Sequence, residues 1–109
     1  MASVFKNAGA QCVLVDDATA DIYTAPASTR AVLHAIMVSN TAATSAEKVT
    51  IKVTIDGGTT FRSVITNGEV PPADSLQIDK PINLEPGDKI RIYGSNNSLE
   101  CFLSILELT

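Results

Sequence analysis

Tryptophan is absent, histidine occurs once, and the remaining aromatics are two tyrosines and three phenylalanines. So few rings supply neither a carbohydrate-stacking platform nor a face on which single-stranded bases stack. The lone histidine, His34, lies inside an apolar run, where its ordinary role is a satisfied interior or sheet-face imidazole. An active role would need Cys12 or Cys101 beside it as a nucleophile–base pair, and no nucleophile motif flanks either cysteine. Two cysteines and one histidine separated by long intervals also make no zinc-binding spacing. Gly57-Gly58 leads into a strand and lacks the Gly-Lys-Ser/Thr continuation of a phosphate loop.

Charge is scarce as well. Charged residues make up 18% of the 109 residues, below the ~25% usual for soluble domains, which leaves little to coat an isolated small domain and favours self-association. The net charge of −4 offers no basic footprint for a phosphate backbone, so nucleic acid is not an expected partner. No apolar run approaches the ~18 residues of a membrane helix, so no membrane partner is expected either. The first ten residues lack the basic cluster and long apolar core of a secretory signal. Synthesis in a cytosol is the expectation, and there Cys12 and Cys101 stay thiols, read as small buried hydrophobes.

Asp16, Asp17, Asp21, Asp56 and Asp88 are oxygen donors of the kind calcium uses. Each also stands at a turn, where aspartate is favoured because its carboxylate accepts from nearby backbone N–H groups; the turn role is the expected one. No catalytic residue, metal or cofactor is implied, and the chain reads as a non-enzyme.

What the sequence does have is alternation. Val49, Ile51, Val53 and Ile55 point one way while Lys48, Thr50, Lys52 and Thr54 point the other, a period of two that no amphipathic helix produces. Asp56-Gly57-Gly58 then makes a turn, and residues 60–66 return as the partner strand. Asn67-Gly68 reads as a second turn. Further short strands are expected at 11–15, 21–24, 31–39, 75–79, 82–84 and 89–93. In the segment 31–39, Val32, His34, Ile36 and Val38 share one face, and Leu33, Ala35 and Met37 the other. Pro86-Gly87 fits the centre of a type II turn ahead of Ile90 and Ile92. Seven to eight short strands at turn spacings near ten residues predict an all-β, single-domain antiparallel sandwich, jelly-roll or Ig-like. The sandwich is expected to span 11–109. Residues 1–10 are expected as an N-terminal arm that orders on assembly.

The last strand is apolar on both faces. Leu99, Cys101, Leu103 and Ile105 line one; Phe102, Leu106 and Leu108 line the other. Such a strand needs cover on both sides, supplied either by a central place in the sandwich or by a neighbouring subunit. Phe102, Leu106 and Leu108, with Val4 and Phe5 of the arm, are therefore the candidate assembly interface.

The order of features resembles a group of small β-sandwich virion structural proteins of tailed bacteriophages. The matching stretches are Tyr23-Thr24-Ala25-Pro26-Ala27 with Ala31-Val32-Leu33-His34-Ala35-Ile36-Met37-Val38-Ser39-Asn40, then Val49-Thr50-Ile51-Lys52-Val53-Thr54-Ile55 and Pro71-Pro72-Ala73-Asp74-Ser75-Leu76. They end with Leu84-Glu85-Pro86-Gly87-Asp88-Lys89-Ile90 and Leu103-Ser104-Ile105-Leu106-Glu107-Leu108. The likeness covers about residues 20–109. It implies a virion location and a role as a capsid decoration (cement) protein, or alternatively as a neck or tail component (collar, adaptor or fibre-associated). The partners it implies are further copies of the chain, as a trimer or ring, and major capsid or neck and tail proteins. It carries over no catalytic residue. A competing reading, a receptor- or glycan-binding spike module, would rest on Tyr23, Phe61, Tyr93 and Asn96-Asn97. A small enzyme would rest on His34 and a cysteine.

Overall fold

The computed structural model describes residues 3–109, which form nine strands and one short 3-10 turn, Ala18–Ala20. In chain order the strands are β1 (Ser3–Gln11), β2 (Asp21–Thr24), β3 (Arg30–Asn40), β4 (Glu47–Thr54), β5 (Phe61–Val70), β6 (Ser75–Ile78), β7 (Ile82–Leu84), β8 (Lys89–Gly94) and β9 (Leu99–Leu108). They make two antiparallel sheets. The larger runs β1-β9-β3-β6, with β7 also paired to β3; the smaller runs β2-β8-β4-β5.

The pairings have a simple order. β4 pairs with β5, β3 with β6 and β7, β2 with β8, and β1 with β9. With β6 and β7 counted as one strand broken at Lys80-Pro81, the chain is a long hairpin, its tip between β4 and β5, rolled across two sheets. That is the jelly-roll arrangement of an antiparallel sandwich, and it decides between the two topologies left open by the sequence.

Alternation puts one side of each sheet into the core. Leu33, Ile36 and Val38 of β3 and Leu99, Cys101, Leu103 and Ile105 of β9 meet Val49, Ile51 and Val53 of β4 and Ile90 and Ile92 of β8. Full burial of a Leu or Ile side chain contributes about 1.5–3 kcal/mol, so these rows supply most of the drive to close the sandwich. Two polar hubs tie loops at opposite ends. Asn40 donates to the carbonyls of Ser45 (2.8 Å) and Val70 (3.1 Å) and accepts from Ala42 N–H and Ser98 Oγ, both at 3.0 Å. Asp88 accepts from Gly57 N–H (2.8 Å), Glu85 N–H (2.9 Å) and Thr54 Oγ1 (3.3 Å). The turn beneath it is of the expected kind: Gly87 has φ +87°, and Asp88 N–H donates to Glu85 O at 3.0 Å.

Several local expectations change. Of the strand expected at 11–15 only Gln11 is in one, the end of β1; from Cys12 the chain crosses between sheets, with Cys12 N–H bonded to Leu99 O in one and Val13 O accepting from Gly94 N–H in the other. The strand lies earlier. From Ser3 onward, the segment expected as an arm pairs with β9 through an unbroken register from Ser3↔Leu108 to Gln11↔Glu100, so residues 3–10 belong to the sandwich. β9 has both neighbours to offer main-chain groups to, and β1 takes the second. Met1 and Ala2, the rest of that expected arm, lie outside the described residues.

On β3 the register shifts between Leu33 and Ala35. This bulge moves Val32, His34 and Met37 to the outer side and leaves Leu33, Ile36 and Val38 inside, so the strict alternation expected for 31–39 fails at His34. Asn67-Gly68 lies within β5, where Asn67 (φ +50°) marks a bulge rather than a turn. Ile55, expected inward, lies past the end of β4 and is exposed. Thr54, expected outward, is buried because its hydroxyl donates to Asp88 and accepts from Lys89 N–H at 2.9 Å.

Candidate functional site

The candidate site is the outer side of the larger sheet. Register places its residues in rows across β1, β9 and β3. Phe5 lies opposite Leu106, which lies opposite Val32; Gly9 lies opposite Phe102, which lies opposite Met37. Ser3, Leu108 and Arg30 make a row at one end, and Gln11, Glu100 and Ser39 at the other. Between the two apolar rows runs a small, more polar one, Asn7 opposite Ser104 opposite Ala35, so the face carries two apolar stripes divided by a polar line, with polar residues at its ends. Phe5 is 78% exposed, Phe102 49% and Met37 40%, while Leu106, Leu108 and Val32 are half-buried. No described residue packs over this side.

Of the residues picked out from the sequence, Phe5, Phe102, Leu106 and Leu108 come together here. Val4 does not. One residue along the strand from Phe5, it faces the other way and sits opposite Glu107. Val32 and Met37 belong to the face and were not anticipated, because the β3 bulge that brings them there leaves no mark in an apolar run beyond the single polar His34. The His34 ring lies 6.3 Å from that of Phe5, tilted 31° to it.

β9 is therefore both central and uncovered. It is flanked by β1 and β3, its inner row is core, and its outer row is open. Its central place in the sandwich accounts for the inner row; the outer row has no cover among the described residues.

The inner side of the same edge carries a polar link between sheets. Glu107, 5% exposed, accepts from the Tyr23 hydroxyl of β2 at 2.5 Å and pairs with Lys6 Nζ of β1 at 3.2 Å. The Tyr23 hydroxyl, followed by the Lys6 ammonium, holds the carboxyl below its usual range, against the opposing effect of burial. Burial and the carboxylate push the Tyr23 hydroxyl upward. This link anchors β1, and hence Phe5, to the body of the sandwich.

The other residues considered for chemistry have structural partners. Asp16 pairs with Lys52 (2.8 Å) and Arg91 (3.0 Å), and the Lys52 bond is the main cause that lowers its carboxyl. Asp21 accepts from Arg91 Nε at 2.7 Å. Asp17 caps the 3-10 turn through Thr19 N–H (2.9 Å), and Asp56 accepts from Thr59 and Thr60 N–H at 3.1 and 2.9 Å. Among the described residues, no three His, Cys, Asp or Glu side chains are grouped to hold a metal ion. Cys12 and Cys101 are buried free thiols on the core side of the larger sheet, whereas His34 is on its outer side, so no Cys–His pair forms.

Of the aromatics that a glycan site would use, Tyr23 is bonded to Glu107, and Phe61 lies 3.9 Å beneath the Arg91 guanidinium. Tyr93 is 5.5 Å from the Lys52 ammonium and lines a shallow cleft of about 200 Å³ with Leu14, Lys48 and Asn67. That volume falls below the range of roughly 300–1,000 Å³ typical of ligand pockets. Asn96 Oδ1 is taken up by Ser98 N–H at 2.9 Å.

No protein-family model matches the chain, and neither a curated protein nor a solved structure is significantly similar to it.

Proposed function

We propose that this chain is a non-enzymatic virion structural protein of a tailed phage, a capsid decoration or cement protein that self-associates and binds the shell through the outer face of its larger sheet. The observation that carries the reading is the apolar row Phe5–Leu106–Val32, with Phe102 and Met37 one row beyond Asn7–Ser104–Ala35, all on one uncovered sheet face, whereas the other exposed aliphatics, Val4, Leu14, Val15 and Ile55, lie off it. A face of this kind gains free energy only when another surface covers it. The jelly-roll order of strands adds support by analogy, since viral capsid domains use it, although lectins and cupins share it and fold alone does not name a function. The sequence likeness to phage structural proteins, running from Tyr23 to Leu108, points the same way.

The neck and tail are the alternative stations, and they would use the same face on a different partner. The glycan-binding reading has less behind it, because Tyr23 and Phe61 are already engaged.

The test is co-sedimentation of purified protein with shells of the cognate phage that lack it, followed by imaging of the particle. Saturable binding to shells, lost in Leu106→Asp while the variant stays folded, is the expected result. Binding to tails or necks alone would move the protein to the alternative station. Undiminished shell binding by folded Leu106→Asp would remove the outer face from the reading.

A further inference from the structure

We infer that two copies of this chain join edge to edge through β1, in an antiparallel two-fold pairing centred on Asn7, to make one continuous sheet. This deepens the proposed self-association by naming its partner and register, and it rests on that part of the reading.

Main-chain geometry sets which residues are available. Cys12 N–H donates to Leu99 O at 2.8 Å, in step with the β1–β9 register. In an antiparallel ladder, residues alternate between bonding the partner strand and facing away from it. Ala10, Ala8, Lys6 and Val4 thus turn their N–H and C=O groups toward β9, and Gln11, Gly9, Asn7, Phe5 and Ser3 turn theirs to the free edge. Among the described residues β1 is terminal in its sheet. The segment contains no proline, so every outward residue has both donor and acceptor. An edge so composed is a template for another strand, and a second copy presents the same template.

Side chains select the register. Centring the two-fold on Asn7 pairs Asn7 with its own copy, Phe5 with Gly9 and Ser3 with Gln11, so that all the outward residues find partners. It sets Lys6 opposite Ala8 rather than opposite the other Lys6, and each Lys6 keeps its bond to Glu107 on the inner side. Sliding the centre to residue 6 would oppose the two lysines and lose pairs at the strand ends.

The contact between Phe5 and Gly9 decides the matter. Gly9 sits beside Phe102, whose Cδ2 would lie 3.8 Å from a Cβ placed on the glycine. Without that Cβ, Phe5 of one copy can lie across Gly9 of the other and reach its Phe102, covering the most exposed aromatic of each subunit. Aromatic cover of an edge glycine is a recurring cross-strand device, and aromatic pairs add to area burial. The outer apolar faces of the two copies then join into one surface, twice as broad, for the shell.

The experiment uses the full chain with Asn7→Cys and, separately, Phe5→Cys. In the inferred register the residue 7 positions face each other at a Cα separation of about 5.5 Å, within disulfide range, whereas the two residue 5 positions are several residues out of step. Sedimentation of the wild type should give twice 11.5 kDa. Oxidation should link Asn7→Cys into covalent dimers readily and leave Phe5→Cys largely unlinked, because only the residue 7 positions lie within disulfide reach. Phe5→Ala, which leaves the β1–β9 ladder intact, should weaken the dimer about tenfold.

A monomeric wild type at high concentration, or equal linking at 5 and 7, overturns the pairing. The two readings fail separately: shell binding by a trimer or ring that does not link at residue 7 defeats this register and leaves the proposed function, while a residue 7-linked dimer that ignores shells does the reverse.

Discussion

Phe5 and Leu106, near opposite ends of the chain, stand directly opposite each other on the outer side of the larger sheet. Neither is covered by any described part of the molecule, and together they define the face that the proposed assembly uses. Substitutions on the two sides of β9 separate this face from the core beneath it.

Leu106 and Leu103 are close neighbours on β9 with opposite surroundings, half-buried outside against fully buried inside. Leu106→Asp should retain the β-sheet circular dichroism of the wild type and lose binding to shells in co-sedimentation. Leu103→Ala should cost about 2–5 kcal/mol in urea denaturation and Leu103→Asp should fail to fold. A Leu106→Asp variant that unfolds would assign its side chain to the core.

Glu107 makes the stability of the β1 edge depend on acid. Its carboxyl is held below the ordinary value of 4.5 in the folded state, chiefly by Tyr23 and then by Lys6. The folded form therefore binds that proton less readily than the unfolded chain. The contribution is fully present above the unfolded value and declines as pH falls through the depressed one. Denaturation midpoints should fall below about pH 4.5, and Glu107→Gln should remove part of that slope. Other lowered carboxyls, Asp16, Asp17 and Asp56, contribute to the total slope, so the difference between wild type and Glu107→Gln is the quantity to measure. An unchanged slope would mean that the Tyr23–Glu107–Lys6 link does not form in solution.

Asp88 holds three donors in a buried position, one from the end of β4, one from the turn after it and one from the turn before β8. Asp88→Ala strands the N–H groups of Gly57 and Glu85, and a hydrogen bond to a charged group is worth about 1.5–3 kcal/mol. The expected loss is about 3 kcal/mol or more in chemical denaturation, by the same principle, with a smaller loss for Asp88→Asn. Gly87→Ala should also destabilise, because φ there is +87° and the new Cβ would lie 3.2 Å from Gly57 O.

The cysteines should be chemically silent in the native state. Cys12 is pushed well up, first by its hydrogen bond with Cys101 and then by burial. A thiol so raised supplies little thiolate; the Cys101 thiol is lowered by its bond with Cys12, and burial is what keeps reagent from it. Neither cysteine should react with an aromatic disulfide reagent at neutral pH until denaturant is added, after which both should. Rapid native-state reaction at either would revive a nucleophilic role.

Much of the outer face is legible in the order of residues alone. Period-two alternation separates Phe102, Leu106 and Leu108 from Leu99, Cys101, Leu103 and Ile105 without reference to anything distant, because the pleat alone sends neighbours to opposite sides. The same local rule locates β4 and β8, and the φ preferences of Pro and Gly locate the Pro86-Gly87 turn. It fails wherever a strand takes an extra residue. At His34 and at Asn67 a bulge resets the alternation, and nothing in the neighbouring residues announces it, since the bulge is defined by how one strand matches another.

The sequence by itself thus determined strands β2 to β9, to within a few residues at their ends, and the two-sided apolar character of 99–108. Tertiary structure alone decided that the strands roll into a jelly roll, that residues 3–11 are an edge strand rather than an arm, and that Val32 and Met37 join Phe5 and Leu106 while Val4 turns away. The reason is physical: which way a side chain points is a property of a few consecutive residues, but which strand lies beside it is settled by hydrogen bonds and packing between segments far apart in the chain.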